Sequence, residues 1–320
     1  MNKGGFWAFL TPLVANIIFF AERPAEWGIT MFANFEQSVI DTSGARINLV
    51  KAGTGPPLLL LHGYPQTYVM WHKIAPRLAE DFTVVAPDLR GYGDSSKPEG
   101  GLGHINYSKR AMAQDQVEVM SKLGYEEFYV VGHDRGARVA HRMALDYPHK
   151  VKKLALLDIA PTHKMYATAD KDFATAYYHW FFLIQPYDLP ETLIGANPEY
   201  YLRTCLERWG RDSSAFVPTA LAEYIRCFSD PAAIHATCED YRAAATIDLE
   251  HDNLDMEQKI LCPVLALWGG KGLIGRKYDV LETWRERAND VRGRAINSGH
   301  FLPEEAPEET YLAILEFLGS

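Results

Sequence analysis

The sequence predicts an α/β fold in which a mostly parallel sheet of eight strands is interrupted by a helical insertion. Three observations lead to this prediction. Short apolar segments alternate with helical patterns along most of the 320-residue chain, which is typical of parallel sheets with right-handed crossovers. A glycine-containing turn at residues 132–136 joins one apolar segment to a helix. The alternation stops between about Pro161 and Leu261, where aromatic residues and helix formers predominate.

The strands can be placed in chain order. Residues 37–41 and 46–51 alternate in polarity around the turn at 42–44 and predict a hairpin. Residues 58–61 are wholly apolar and residues 83–86 mostly so, as expected of strands that are covered on both faces. Further strands are predicted at residues 128–131, 153–157, 263–268 and 291–296. Helices are predicted at residues 70–78, 111–123 and 307–318.

This pattern divides the chain into a core domain of residues 31–161 and 262–320 and a helical cap of residues 162–261. Residues 1–30 are interpreted as an N-terminal extension of uncertain role. Their apolar stretch from Phe6 to Ala21 is short for a membrane span and is interrupted by Pro12 and Asn16. An export signal is the alternative, but cleavage after Ala21 would place Phe19 at the −3 position, which makes a poor cleavage site. A cytoplasmic protein is therefore expected, with no membrane attachment of the folded domain.

Composition narrows the classes of partner. The net charge is −9, so nothing indicates binding to nucleic acid or to an anionic membrane. Hydrophobic residues make up 48% and charged residues 23% of the chain, as in an ordinary globular enzyme. No metal-spaced cluster and no nucleotide fingerprint occurs. The prediction is an enzyme that uses no metal and no organic cofactor.

The turn Gly132-His133-Asp134-Arg135-Gly136 has the form Gly-x-nucleophile-x-Gly. This is the nucleophile elbow of the α/β-hydrolase fold, in which a strained turn lifts one side chain above the sheet. Asp134 stands where esterases have serine. A carboxylate is already charged at neutral pH and is suited to displacement at an sp³ carbon, which leaves an ester on the enzyme. The turn therefore favours opening of a carbon–halogen bond or an epoxide over ester hydrolysis.

In this fold the nucleophile is followed along the chain by an acid and then a histidine. His300 follows the last predicted strand and is the candidate base. The strand at residues 263–268 ends in Gly269-Gly270-Lys271-Gly272 without a carboxylate. Asp158, at the end of the strand after the elbow, is therefore assigned as the orienting acid, with a simple strand-end cap as the alternative. The oxyanion hole is expected to use the backbone N–H groups of Arg135 and Tyr64.

Two arginines accompany the nucleophile. Arg135 follows Asp134 directly, and Arg138 lies three residues later on the same helix face. Two guanidinium groups at this place can bind a carboxylate and favour the ionised form of Asp134. The alternative is that each arginine pairs with acidic groups of the protein.

The sequence resembles the haloacetate (fluoroacetate) dehalogenases of the α/β-hydrolase superfamily from about Phe35 to the C-terminus. The motifs that carry the resemblance lie at residues 62–66, 88–95, 132–136, 178–182, 240–248 and 299–301. The resemblance implies a halide pocket, a substrate-lining tryptophan and a homodimer. It assigns the pocket to His179, Trp180 and Tyr241 and the lining position to Trp209. Aromatic residues of a helical cap otherwise serve mostly in packing.

The sequence thus predicts hydrolytic dehalogenation of a small anionic haloacid, fluoroacetate or chloroacetate, to glycolate and halide through an aspartyl ester. An epoxide hydrolase with the same triad is the first alternative; it has no need of arginines beside the nucleophile. A ligand-binding protein on a hydrolase fold is the second alternative, and an apparently complete triad argues against it.

Overall fold

The computed structural model describes Met1 and residues 31–319. The predicted N-terminal extension therefore lies, apart from Met1, outside the described residues. Among those residues, no helix is long and apolar enough to cross a membrane, and no cluster of three or more His, Cys, Asp or Glu side chains could hold a metal ion.

The predicted eight-stranded, mostly parallel sheet is confirmed. The strand order is β1-β2-β4-β3-β5-β6-β7-β8. The first two pairings, β1 with β2 and β2 with β4, are antiparallel, and the other strands pair in parallel. The strands are β1 (Glu36–Asp41), β2 (Arg46–Ala52), β3 (Pro57–Leu61), β4 (Thr83–Pro87), β5 (Phe128–His133), β6 (Val151–Leu157), β7 (Val264–Gly269) and β8 (Val291–Ile296).

Helices cover the sheet. Outside the insertion they are α1 (Ala75–Leu78), α2 (Lys109–Lys122), α3 (Arg135–Asp146), α12 (Ile274–Lys277), α13 (Val280–Arg285), α14 (Leu302–Glu305) and α15 (Pro307–Gly319). The central strands are apolar because both faces are covered: all four leucines of residues 58–61 are fully buried.

The segment between β6 and β7 is helical, as expected. It contains α4 (Thr162–Ala167), α5 (Lys171–Ala176), α6 (His179–Phe182), α7 (Leu189–Gly195), α8 (Pro198–Trp209), α9 (Pro218–Phe228), α10 (Pro231–Ala245) and α11 (Ile247–Leu254). Prolines stand in the first turn of α7, α8, α9 and α10, where their missing N–H would have no partner in the helix.

One sequence prediction of a helix was wrong. Residues 70–78 form two short pieces, a 3₁₀ turn at Tyr68–Trp71 and then α1. Pro76 lies in the first turn of α1, where its ring prevents a continuous helix from running in from the preceding residues. The hydroxyl of Thr67 accepts a hydrogen bond from the N–H of Val69 at 3.3 Å and caps the 3₁₀ turn.

The candidate functional residues lie beyond the carboxyl ends of the parallel strands. Asp134 directly follows β5, Asp158 directly follows β6, and His300 lies in the loop after β8. Tyr64 lies just beyond β3, the strand that pairs with β5. Ligands of parallel sheets bind beyond the carboxyl ends of the strands, and these residues therefore lie where a ligand of this sheet would bind.

Candidate active site

The turn between β5 and α3 is strained at its centre. Asp134 has φ 47° and ψ −115°, a backbone conformation that non-glycine residues adopt rarely. The neighbouring glycines make the turn possible by close approach. A Cβ atom at Gly132 would lie 2.6 Å from Cα of Ala137, and one at Gly136 would lie 2.3 Å from the carbonyl oxygen of His62. The elbow therefore holds Asp134 in a position that a longer or looser turn could not maintain.

The structure brings Asp134, His300 and Asp158 together. Nδ1–H of His300 donates to Oδ2 of Asp158 at 2.6 Å, and Nε2 of His300 lies 3.7 Å from Oδ2 of Asp134. The other carboxylate oxygen of Asp158 accepts a hydrogen bond from the N–H of Gly269 at 2.9 Å. The glycine-rich end of β7, which carries no acid of its own, thus holds the acid supplied by β6.

The charges of the triad support one another. Burial lowers the pKa of His300. The hydrogen bond with Asp158 and the negative charges of Asp158 and Asp134 raise it, and the pKa is raised overall. Burial raises the pKa of Asp134, but His300 and the two nearby guanidinium groups lower it to about 2. Asp134 is therefore ionised throughout the neutral pH range, as a nucleophilic carboxylate must be.

Tyr64 contacts Asp134 through its backbone. Its N–H donates to Oδ1 of Asp134 at 3.0 Å. A donor fixed at this distance can stabilise negative charge that develops on the same oxygen. Oδ1 is thus held by Tyr64, while Oδ2 faces His300, and the two carboxylate oxygens have different surroundings. The expected contribution of the Arg135 backbone N–H stays a prediction.

Sequence reasoning assigned no role to His133, which lies next to the nucleophile. Its Nε2–H donates to the carbonyl oxygen of His300 at 2.7 Å, and the two ring centroids are 4.6 Å apart. Burial lowers the pKa of His133 to about 3, so its imidazole is neutral. His133 therefore holds the loop that carries His300. The motif at residues 132–136 contained the residue, but nothing in it revealed where the ring points.

Arg135 is buried and already bound to a carboxylate of the protein. Its Nε and Nη2 groups donate to Oδ2 and Oδ1 of Asp240 at 2.9 and 2.8 Å. The third nitrogen, Nη1, is buried and has no hydrogen-bond partner among the residues that the structure describes. Arg135 therefore pairs with an acidic group of the protein through Nε and Nη2, as the alternative interpretation of the sequence expected. Only Nη1 remains for a ligand.

Arg138 is fixed in a similar way. Its Nη1 donates to the carbonyl oxygen of Ala160 and to Oγ1 of Thr162, both at 3.0 Å. Nη2 contacts Sδ of Met165 at 3.3 Å. The Nε group is buried without a hydrogen-bond partner within residues 31–319. Each arginine beside Asp134 thus keeps one buried N–H group available for an anion.

The aromatic residues of the insertion lie against the two arginines. The guanidinium carbon of Arg135 lies 4.1 Å from the ring centroid of Tyr241, and that of Arg138 lies 4.7 Å from the ring of Trp180. The ring centroids of Trp180 and Tyr241 are 6.4 Å apart, and those of His179 and Tyr241 are 5.7 Å apart. The three residues that the resemblance assigned to a halide pocket therefore form one cluster.

Trp209 connects this cluster with the base. Its ring lies 4.2 Å from His179, 6.1 Å from Tyr64 and 6.1 Å from His300, measured between centroids. Its carbonyl oxygen accepts a hydrogen bond from the backbone N–H of His300 at 3.0 Å. Burial lowers the pKa of His179 well below its usual value, so a neutral imidazole faces the site. Its Nδ1 atom is buried and lacks a hydrogen-bond partner in the described part of the chain.

The chain is similar to known proteins over most of its length. The family model of the alpha/beta hydrolase fold matches residues 56–307. A fluoroacetate dehalogenase from Burkholderia sp is 47% identical over 289 residues, which cover 90% of this chain and 95% of the relative. A soluble epoxide hydrolase from Corynebacterium sp. (strain C12) is 39% identical over 280 residues, covering 86% of this chain and 94% of the relative. The crystal structure of a proposed alpha/beta hydrolase from Nostoc sp PCC 7120 is 81% identical with a TM-score of 0.89, and the match covers 90% of this chain and 99% of that one. The protein is therefore a hydrolase, and the chain belongs to the alpha/beta hydrolase family.

Proposed function

We propose that the protein is a haloacetate dehalogenase, which converts fluoroacetate or chloroacetate to glycolate and halide. The observation that carries the proposal is the pair of arginines beside the nucleophile. Nη1 of Arg135 and Nε of Arg138 are buried N–H donors without a partner among the described residues. A buried charged donor without an acceptor is costly, and the carboxylate of a small haloacid would supply acceptors for both.

In the first step, Oδ2 of Asp134 attacks the α-carbon of the haloacid. The new carbon–oxygen bond forms as the carbon–halogen bond breaks, and the halide leaves with the electron pair on the side opposite the nucleophile. The nascent halide loses its hydration in a buried site and needs N–H or O–H donors there. His179, Trp180 and Tyr241 can offer an imidazole N–H, an indole N–H and a hydroxyl group. The product of this step is a carboxymethyl ester of Asp134.

In the second step, neutral His300 takes a proton from a water molecule, which attacks Cγ of Asp134. The negative charge then develops on Oδ1, the oxygen that accepts the hydrogen bond from Tyr64. Collapse breaks the bond between Cγ and the glycolyl oxygen, and the proton on His300 passes to the departing glycolate oxygen. Glycolate therefore leaves with an oxygen atom from Asp134. The oxygen atom of water remains on Cγ in a carboxylic acid, which releases the second proton of the water to solvent and becomes the carboxylate again.

The pKa of His300 fits this sequence of events. The negative charge of Asp134, 3.7 Å from Nε2 of His300, helps to raise the pKa of the imidazole in the free enzyme. Formation of the ester removes that charge. The imidazole of the ester intermediate consequently loses its proton more readily, and it becomes a neutral base at the stage at which the reaction needs one.

An epoxide hydrolase is the second candidate. It is favoured by the 39% identity with the soluble epoxide hydrolase from Corynebacterium sp. and by the tyrosines above the site, since a tyrosine hydroxyl can donate to an epoxide oxygen. The same triad would serve. Two buried guanidinium groups beside the nucleophile are a poor environment for a neutral substrate, whereas the 47% identical relative is named for a haloacetate substrate. The arginines therefore favour the dehalogenase.

The experiment that tests the proposal compares halide release from fluoroacetate and chloroacetate with diol formation from styrene oxide. Halide release that disappears in the Asp134→Asn variant supports the dehalogenase. Release of chloride without fluoride keeps the reaction and restricts the substrate. Diol formation without halide release would assign the protein to the epoxide hydrolases and contradict the argument from the arginines.

The domain boundaries, which come from the pattern of strands and helices, stay predictions. The homodimer, which the resemblance implies, also stays a prediction. Sedimentation equilibrium of the full chain would check the homodimer, and limited proteolysis would check whether residues 162–261 behave as a separate cap.

A further inference from the structure

Asp240 is the acidic partner of Arg135, and it was not among the residues expected to serve the site. The two side chains meet in a bidentate pair, and Nη2 of Arg135 also donates to the backbone carbonyl oxygen of Asp240 at 2.9 Å. Both residues are fully buried. Three hydrogen bonds from two nitrogens fix the guanidinium plane in orientation as well as in position. The direction of the remaining Nη1 group is thereby set.

Two further groups hold Asp240 itself. The hydroxyl of Tyr92 donates to Oδ2 of Asp240 at 2.6 Å. The ammonium group of Lys109 pairs with Oδ1. Both Tyr92 and Lys109 lie before β5, whereas Asp240 lies in α10. The carboxylate is therefore bound from three directions and cannot follow a small displacement of Arg135.

Asp240 also directly precedes Tyr241, one of the proposed halide donors. The ring of Tyr241 lies on the Arg135 guanidinium, with 4.1 Å between the guanidinium carbon and the ring centroid. One turn of α10 thus contacts Arg135 with both a carboxylate and an aromatic ring. A displacement of this turn would move the carboxylate-binding donor and the halide donor together.

We infer that Asp240 is a positioning residue for haloacid recognition, which holds Arg135 so that its Nη1 group binds the substrate carboxylate in register with Tyr241. The inference rests on the proposed function and deepens it. It differs from a purely structural role, in which the Arg135–Asp240 pair would only join the insertion to the core. It also differs from a role as mere countercharge, because loss of a countercharge would strengthen the binding of an anion.

The test is the KM for chloroacetate of the Asp240→Asn variant. Asparagine has nearly the same shape but can accept only through one oxygen, so Arg135 loses its bidentate partner. We expect KM to rise about tenfold or more, which corresponds to one charge-assisted hydrogen bond. Chloroacetamide, which has no carboxylate, should lose less than about threefold in kcat/KM by the same reasoning.

The chain offers a matched control in Asp115→Asn. Asp115 is buried and forms a bidentate pair with Arg90, with distances of 2.5 and 2.7 Å, away from the nucleophile. This variant should lose thermal stability but keep its KM for chloroacetate. The Tyr92→Phe variant removes a single hydrogen bond to Asp240 and should raise KM by a smaller factor. If Asp240→Asn does not fold, the KM of Tyr92→Phe for chloroacetate tests the inference instead.

Three results would overturn the inference. The first is an equal change of KM in the Asp240→Asn and Asp115→Asn variants. The second is an equal loss for chloroacetate and chloroacetamide, which would show a general structural role. The third is a lower KM in Asp240→Asn, which would leave Asp240 as countercharge alone. If the unchanged protein released no halide from haloacetates, the proposed function itself would fail, and the two failures are therefore distinguishable.

Discussion

Replacement of Arg138 by glutamine tests directly the proposal that Arg135 and Arg138 bind the substrate carboxylate. Arg138 is 3% exposed and is held by Ala160 and Thr162 through Nη1. Its Nε group has no other acceptor among residues 31–319. Glutamine ends at the atom equivalent to Nε, so it can place only an uncharged donor there, and it loses both contacts of Nη1.

The expected size of the effect follows from the bond that is lost. A hydrogen bond from a charged donor contributes about 1.5–3 kcal/mol, which is about 10- to 150-fold in kcat/KM for chloroacetate. Two further hydrogen bonds inside the protein are weakened as well, at a cost of about 1 kcal/mol each in stability. The loss of activity should therefore be accompanied by a lower melting temperature.

The assay is steady-state chloride release over a range of chloroacetate concentrations. Arg142→Gln is the matched control, because Arg142 is buried on the same helix one turn later and pairs with Asp146 and Asp255 at 2.7 Å. Arg142→Gln should lower stability with kcat/KM within about twofold of the unchanged protein. If Arg138→Gln retained both KM and kcat, or lost no more than the control, the assignment of Arg138 to the substrate carboxylate would be refuted.

Three other predictions follow. Gly136→Ala should abolish folding or activity, since the new Cβ would lie 2.3 Å from a backbone oxygen; circular dichroism and chloride release check this, and a folded, active variant would contradict the elbow geometry. Asp158→Asn should lower kcat by about 100-fold or more and move the acidic limb of the pH profile to lower pH, because the hydrogen bond and the negative charge of Asp158 both raise the pKa of His300; an unmoved limb would argue against the pairing. Burial raises the pKa of Glu304 from 4.5 to about 7, so the folded state binds its proton more tightly than the unfolded state and stability falls as pH rises through that range. Glu304→Gln should therefore gain up to about 3 kcal/mol relative to the unchanged protein between pH 4.5 and 7, measured by urea unfolding, and a constant difference would contradict this.

Much of the fold could be predicted from local pattern. The buried strands were visible because fully covered parallel strands are apolar throughout. The elbow was visible because its Gly-x-Asp-x-Gly pattern is local in sequence, although the contact that requires Gly136 is made by the distant carbonyl oxygen of His62. Asp158 was assigned by elimination. In the structure its carboxylate accepts a hydrogen bond from His300, and the end of β7 supplies the N–H of Gly269 to Asp158 instead of an acid.

The rest depended on contacts between distant segments. Asp240 lies 105 residues from Arg135, and no local pattern indicates that they meet. The two arginines were expected to be free for a ligand, but each is largely occupied by the protein, which sequence spacing cannot show. The direction of the His133 ring and the break before Pro76 likewise depend on side-chain orientation and tertiary packing.

The central claim is that Asp134 forms a covalent ester with the haloacid. The most direct measurement is the mass of the His300→Asn variant after mixing with chloroacetate, followed by mapping of the modified peptide. Because this variant lacks the base for the second step, we predict that one carboxymethyl group accumulates on Asp134 with release of one chloride ion. A variant that releases chloride without this adduct, or that carries the adduct on another residue, would contradict the mechanism.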